Sequence, residues 1–231
     1  MSDTPVGNLK WILVPGIITL VVTVVRLVGE LQGMDPALFG VEPGGMVTPA
    51  TPGEAAPVPS LVGIFWLMPI VGAYFALRLR RSGDSPIHRG KALLFALLGA
   101  ALFGGSAAAG LYALGSEENN AAFPWFLVVL VLVGILAMLV CRAGWPSLFR
   151  LTFTYGLLAR VPIVILTYIL CFEAAGTHYE KVAPIAPTDL TTLARATLLS
   201  VAQIGVWVPL TVLFGGLAGA LTAFIIPRKQ V

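Results

Sequence analysis

Arg160 is the charge most at odds with its surroundings: it stands in the middle of an apolar run from Leu148 to Phe172, two positions before Pro162. A guanidinium at the centre of a bilayer costs about 2.5–3.5 kcal/mol on insertion scales, so such an arginine normally faces the interior of a helix bundle and finds a partner there. At about 100° per residue, Thr152, Gly156, Arg160, Thr167 and Cys171 share one arc, giving a small and polar stripe on an otherwise apolar helix. No Asp or Glu occurs at that depth in any other apolar run; Glu30 and Glu173 both stand near the ends of theirs. The neutral acceptors on offer are Gln203, Ser200 and Thr211, the hydroxyls of Tyr155 and Tyr168, and the carbonyls of Phe65, Leu158 and Gly205, which lose their usual donors to Pro69, Pro162 and Pro209. Arg160, Gln203, Thr167 and Tyr168 therefore form the candidate ligand-binding set, suited to an anionic or amphipathic solute. The competing roles for Arg160 are a structural pin between kinked helices and a counter-charge for a carboxylate from a partner subunit.

The second place with reactive groups is the polar stretch after that run, where His178 stands near Glu173 and Glu180. One histidine and two carboxylates are a thin ligand set, and their spacing matches no zinc pattern, so they are a weak metal candidate and a solvated loop is the simpler reading. The chain has no HExxH, GxSxG, CxxC, paired-Asp or Gly-Lys phosphate-loop signature. No catalytic residue and no cofactor are expected, and a non-enzymatic role is favoured over a membrane enzyme built on the His178 loop.

These residues have to be positioned by membrane helices. Of the 231 residues 58% are hydrophobic and only 11% charged, with a mean hydropathy of +0.92, whereas about a quarter of the residues of a soluble domain are charged. The sequence pI of about 9.1 does not indicate nucleic acid, because the basic residues cluster at the ends of apolar runs, where they orient membrane spans. Runs of about 20 apolar residues predict an all-α membrane protein, a bundle of six transmembrane helices spanning residues 11–31, 61–79, 92–114, 123–141, 148–172 and 197–226. The polar pieces between them are too short and too rich in Pro and Gly to bury a core, so residues 1–231 form a single polytopic domain.

Retention of Lys and Arg on the cytoplasmic side sets the threading. Six crossings put Lys10, Arg78, Arg80, Arg81, Arg89, Lys91, Arg142, Arg150, Arg228 and Lys229 on one face, which makes both termini cytoplasmic and residues 32–60, 115–122 and 173–195 extracytoplasmic. The first span could alternatively be a cleaved secretory signal, although it is longer than a usual apolar signal core. Arg26 and Glu30, spaced i, i+4 near its outer end, are expected to pair, with Arg26 snorkelling to the interface. Pro69 should kink the second span, and the small residues from Gly99 to Gly110 should place the third span at the centre of the bundle. The LFGG strings at Leu102–Gly105 and Leu213–Gly216 are too short to support an inverted repeat. Gly215 and Gly219 make a GxxxG packing motif, Thr188 is the expected N-cap of the last helix, and Cys141 and Cys171 lie at opposite faces as free thiols.

The partners implied are the lipid bilayer of a cell membrane and a second membrane protein or another copy of the chain. Two functional expectations follow: a non-catalytic scaffold or accessory subunit of a membrane assembly, and a small transporter or channel for an anionic or amphipathic solute with Arg160 at its midplane site.

Overall fold

Long runs of Leu, Val, Ile and Ala leave backbone groups no water to bond in a bilayer, so they close their hydrogen bonds internally as helices. The computed structural model describes residues 5–34, 64–115, 121–182, 186–187 and 189–226. Among these, 84% are helical and none is in a strand. The helices are α1 (Pro5–Leu31), α2 (Leu67–Arg81), α3 (Arg89–Leu114), α4 (Phe123–Gly144), α5 (Pro146–Glu173), α6 (Thr192–Ala202) and α7 (Val208–Ile225), with a 3-10 turn at His178–Glu180 and a π-helical segment, Gln203–Trp207, joining α6 to α7. Lys10–Leu31, α3, α4, α5 and the continuous Thr192–Ile225 are five helices long and apolar enough to cross a membrane. The expected second span is seen as α2, whose 15 residues reach only about 22 Å against roughly 30 Å of hydrocarbon. Residues 35–63, which hold most of the expected 32–60 loop and the start of that span, lie outside the described residues, as do Thr188, Arg228 and Lys229.

The centre of the bundle is α7, which packs against α2, α3, α4 and α5. Its GxxxG motif carries the closest of these approaches. A Cβ on Gly72 of α2 would lie 2.1 Å from the carbonyl oxygen of Gly215, and one on Gly219 would lie 2.9 Å from that of Gly72. With no side chains in the way the two backbones touch, which is how small residues associate helices where lipid removes the hydrophobic drive.

The expectation that α3 is central is corrected. Its buried residues are Ala92, Ala96, Gly99, Phe103 and Leu114, while Gly104, Gly105, Ala108 and Ala109 are exposed and nothing stands within 4 Å of a Cβ on either glycine. Small residues permit close packing but do not decide which of two faces receives a neighbour. The kink expected at Pro69 is also absent. Helix α2 starts at Leu67, so Pro69 falls in the first turn, where its missing N–H has no intrahelical acceptor to lose, and the Phe65 carbonyl is taken by the Met68 N–H at 3.2 Å.

The two ends of the bundle differ in chemistry. At one end Trp145, which joins α4 to α5 just ahead of Pro146, donates from Nε1 to Asp84 at 3.2 Å, and Arg80 donates to the Ile226 carbonyl. The basic residues Arg78, Arg81, Arg89, Lys91, Arg142 and Arg150 sit on the helix turns nearest that end. The other end gathers Glu30, Glu173, Thr177, His178 and Glu180. Ala174 terminates α5 in the left-handed region at φ 51° and turns the chain back over the bundle.

Gly72→Ala should lower the stability of the detergent-solubilised protein by about 1–3 kcal/mol, since the added methyl meets fixed backbone. Gly104→Ala should stay within about 1 kcal/mol of the parent. Thermal unfolding of the two variants side by side checks the pair.

Candidate functional site

Local chemistry accounts for how Arg160 is held. Helix α5 runs through Pro162 without interruption, and the expected stripe of Thr152, Gly156, Arg160, Thr167 and Cys171 is buried along its whole length. The helix opposite is not regular. Pro209 cannot donate to Gly205, and just before it the chain widens into the π segment Gln203–Trp207. Thr211 Oγ1 stabilises the junction by donating to the Trp207 carbonyl at 2.8 Å.

Both direct contacts of Arg160 come from that segment. Its Nη1 donates to Gln203 Oε1 at 3.3 Å, and its guanidinium carbon lies 4.8 Å from the centroid of the Trp207 ring. Tyr155 and Tyr179 are near enough to act on its charge. The side chain is 4% exposed, and no carboxylate pairs with it among the described residues. A desolvated cation–π contact contributes about 2 kcal/mol and a hydrogen bond to a charged group about 1.5–3 kcal/mol. Insertion of the charge costs about 2.5–3.5 kcal/mol, and the Nε, buried without a partner, adds a penalty of at least about 1–3 kcal/mol. The terms cancel to within a few kcal/mol.

The same seam holds other polar atoms with no partner. Thr19, Thr23, Thr152, Thr211 and Thr222 each donate to the carbonyl four residues back, the usual way a hydroxyl is satisfied inside a membrane helix. Thr167 and Ser200, both buried, do not; their hydroxyls have no partner, and neither does the buried Nε of Arg195. Tyr168, half-buried, is hydrogen-bonded to Thr197 at 3.2 Å. The structure thus brings Arg160 to Gln203 and Tyr168 to Thr197, and leaves the Thr167 hydroxyl unbonded on the same buried face of α5 as Arg160.

The sequence reading missed four features of this region. Trp207 stands four residues after Gln203, a spacing that puts both on one side of a helix. Arg195 is half-buried rather than a plain surface base. Thr19 and Thr23 form a polar stripe on α1 that continues through Arg26 to Glu30, and Thr19 Oγ1 lies 2.7 Å from the Tyr155 hydroxyl. Applying the arc argument of α5 to α1 would have revealed that stripe.

The expected Arg26–Glu30 pair forms at 2.9 Å, with Arg26 keeping partial exposure and the Glu30 side chain fully buried. Its carboxylate accepts from Arg26 Nε and from the His178 backbone N–H at 3.0 Å, and it contacts His178 Nδ1. Glu180 caps its own turn by accepting from the Thr177 N–H at 3.0 Å, and Glu173 is exposed at the end of α5. The weak metal set His178, Glu173 and Glu180 is therefore not assembled, and no cluster of three metal-ligating groups occurs among the described residues. Burial pulls the His178 pKa below its ordinary 6.5 and outweighs the hydrogen bond to Glu30, with Arg26 and Lys181 adding repulsion.

No family model, curated protein or solved structure matches this chain.

Because folding lowers the affinity of His178 for its proton, the contact between the 177–180 turn and α1 is at full strength above pH 6.5 and weakens as the pH falls below that value. Exchange of the His178 amide, corrected for its intrinsic rate, should show protection falling from about pH 7.5 to about pH 5.5. Constant protection over that range would contradict the assignment.

Proposed function

We propose that this chain is a six-span protein of the cell membrane, with both termini cytoplasmic, that receives an anionic group at Arg160 as a small transporter or channel for an anionic or amphipathic solute. The observation that carries this reading is the buried guanidinium with an unpartnered Nε, facing a π segment and accompanied by unbonded hydroxyls at Thr167 and Ser200. An anion with two or more acceptor oxygens matches such donors, and π segments occur frequently at functional sites. The near-cancellation of the stability terms at Arg160 supports binding over a structural pin. The threading is supported by the basic residues gathered at the Trp145 end, the end retained in the cytoplasm under the positive-inside rule.

Arg160→Gln separates the roles. It should melt within about 1 kcal/mol of the parent in detergent, while stabilisation of the parent by added organic anions, about 2.7 kcal/mol at a hundredfold excess over Kd, should be lost. Marked destabilisation of the variant together with no anion effect on the parent would make Arg160 a pin.

A second reading, an accessory subunit of a membrane assembly, draws on the exposed small-residue face of α3 at Gly104, Gly105, Ala108 and Ala109. Such a face lets another helix approach closely. Purification in mild detergent should then yield a complex that Gly104→Leu disrupts; a lone monomer would count against it. The His178 loop offers less to an enzyme, since His178 is engaged by Glu30 and Glu180 is occupied by Thr177.

A further inference from the structure

The unbonded polar atoms form a file between α5 and α6. The two hydrogen bonds across that seam, Tyr168 to Thr197 and Arg160 to Gln203, show the helices running antiparallel, which sets Arg195 and Cys171 at one level, Thr167 below them, then Ser200, then Arg160. Cys171 and Arg195 are electrostatic neighbours, in keeping with that register. From Arg195 to Gln203 the file descends about 12 Å at the α-helical rise. It contains two arginines and two orphan hydroxyls, and the carboxylate within electrostatic reach of it, that of Glu180, acts on Cys171 at its outer end.

The outer edge of this seam faces lipid. Ile165 and Ile169 on α5, Val201 on α6 and Ile204 on the π segment are exposed, and between them the exposed hydrogen bond of Tyr168 with Thr197 closes the way to Thr167 and Ser200 behind. Helices α5 and α6 also pack against each other along the seam, and on its exposed side the polar contact between them is this one side-chain bond. Resting on the anion reading of Arg160, we infer that its ligand is an amphiphile with one anionic headgroup, a phosphate or a carboxylate, that moves in sideways from the bilayer between α5 and α6. The Tyr168–Thr197 bond is the latch, Arg195 the outer station and Arg160 the inner one. The headgroup satisfies the orphan donors while its tail stays among the exposed aliphatic side chains, so no enclosed cavity for a whole solute is required.

Native mass spectrometry of the full chain from detergent micelles tests this with three probes: dioleoyl phosphatidic acid, dioleoylglycerol and inorganic phosphate. The parent should retain phosphatidic acid and neither of the others. Arg160→Gln and Arg195→Gln, with unchanged melting as the folding control, should each weaken retention at least tenfold. Thr197→Val and Tyr168→Phe should speed association of phosphatidic acid several-fold. Binding of inorganic phosphate in preference to the lipid would overturn lateral access yet leave the anion site of Arg160 standing. Equal retention of phosphatidic acid by the parent and Arg160→Gln would overturn both, equal retention of dioleoylglycerol would overturn headgroup recognition, and unchanged association in both latch variants would overturn the latch.

Discussion

A guanidinium inside an apolar bundle is tolerable only if neighbouring groups replace the water it lost, and this constraint organises the arrangement of α5, α6 and α7. Among the described residues no carboxylate is present at Arg160, so the replacement comes from a face of aromatic and amide groups: the Trp207 ring and the Gln203 side-chain oxygen. Those two side chains are presented by a π-helical turn just upstream of Pro209. The proline that weakens the helix and the segment that meets the charge therefore belong to one local distortion.

A second constraint is where backbones touch. Gly72, Gly215 and Gly219 draw α2 and α7 together until the carbonyl oxygens stand against the opposing Cα positions. That contact accompanies the central position of α7 in the bundle. The rigid and the polar parts of the fold are thus divided between α2–α7 packing on one side and the α5–α6 seam on the other. The second is the part with unsatisfied groups, and hence the part with something to gain from a ligand.

The far end of the bundle is closed by ionic chemistry. Glu30 has lost all contact with solvent and is compensated by Arg26, the His178 amide and the His178 ring. Paired and hydrogen-bonded in this way, a buried carboxylate holds the 177–180 turn onto α1 and brings Tyr179, itself pushed up to about 12 by burial, near Arg160. Tyr179 is thus within electrostatic reach of both charged regions of the molecule.

Composition and the lengths of apolar runs were enough to establish helices apolar enough for a membrane, because a bilayer demands internally satisfied backbone and that demand is written in every residue of a span. The 3.6-residue period likewise identified the buried stripe of α5, and the absence of a carboxylate near its depth marked Arg160 as unmatched. Tertiary structure alone decided the rest. Glycine and alanine permit close approach on any face, so α3 carries its small residues outward while α7 uses its own. A proline signals a missing donor but not its consequence: Pro69 begins a helix, Pro162 passes unnoticed and Pro209 follows a π turn. Whether Glu30 meets solvent or His178 depended on a chain reversal more than a hundred residues away, and hydroxyls such as those of Thr167 and Ser200 declare themselves unpartnered only when every neighbour has a position.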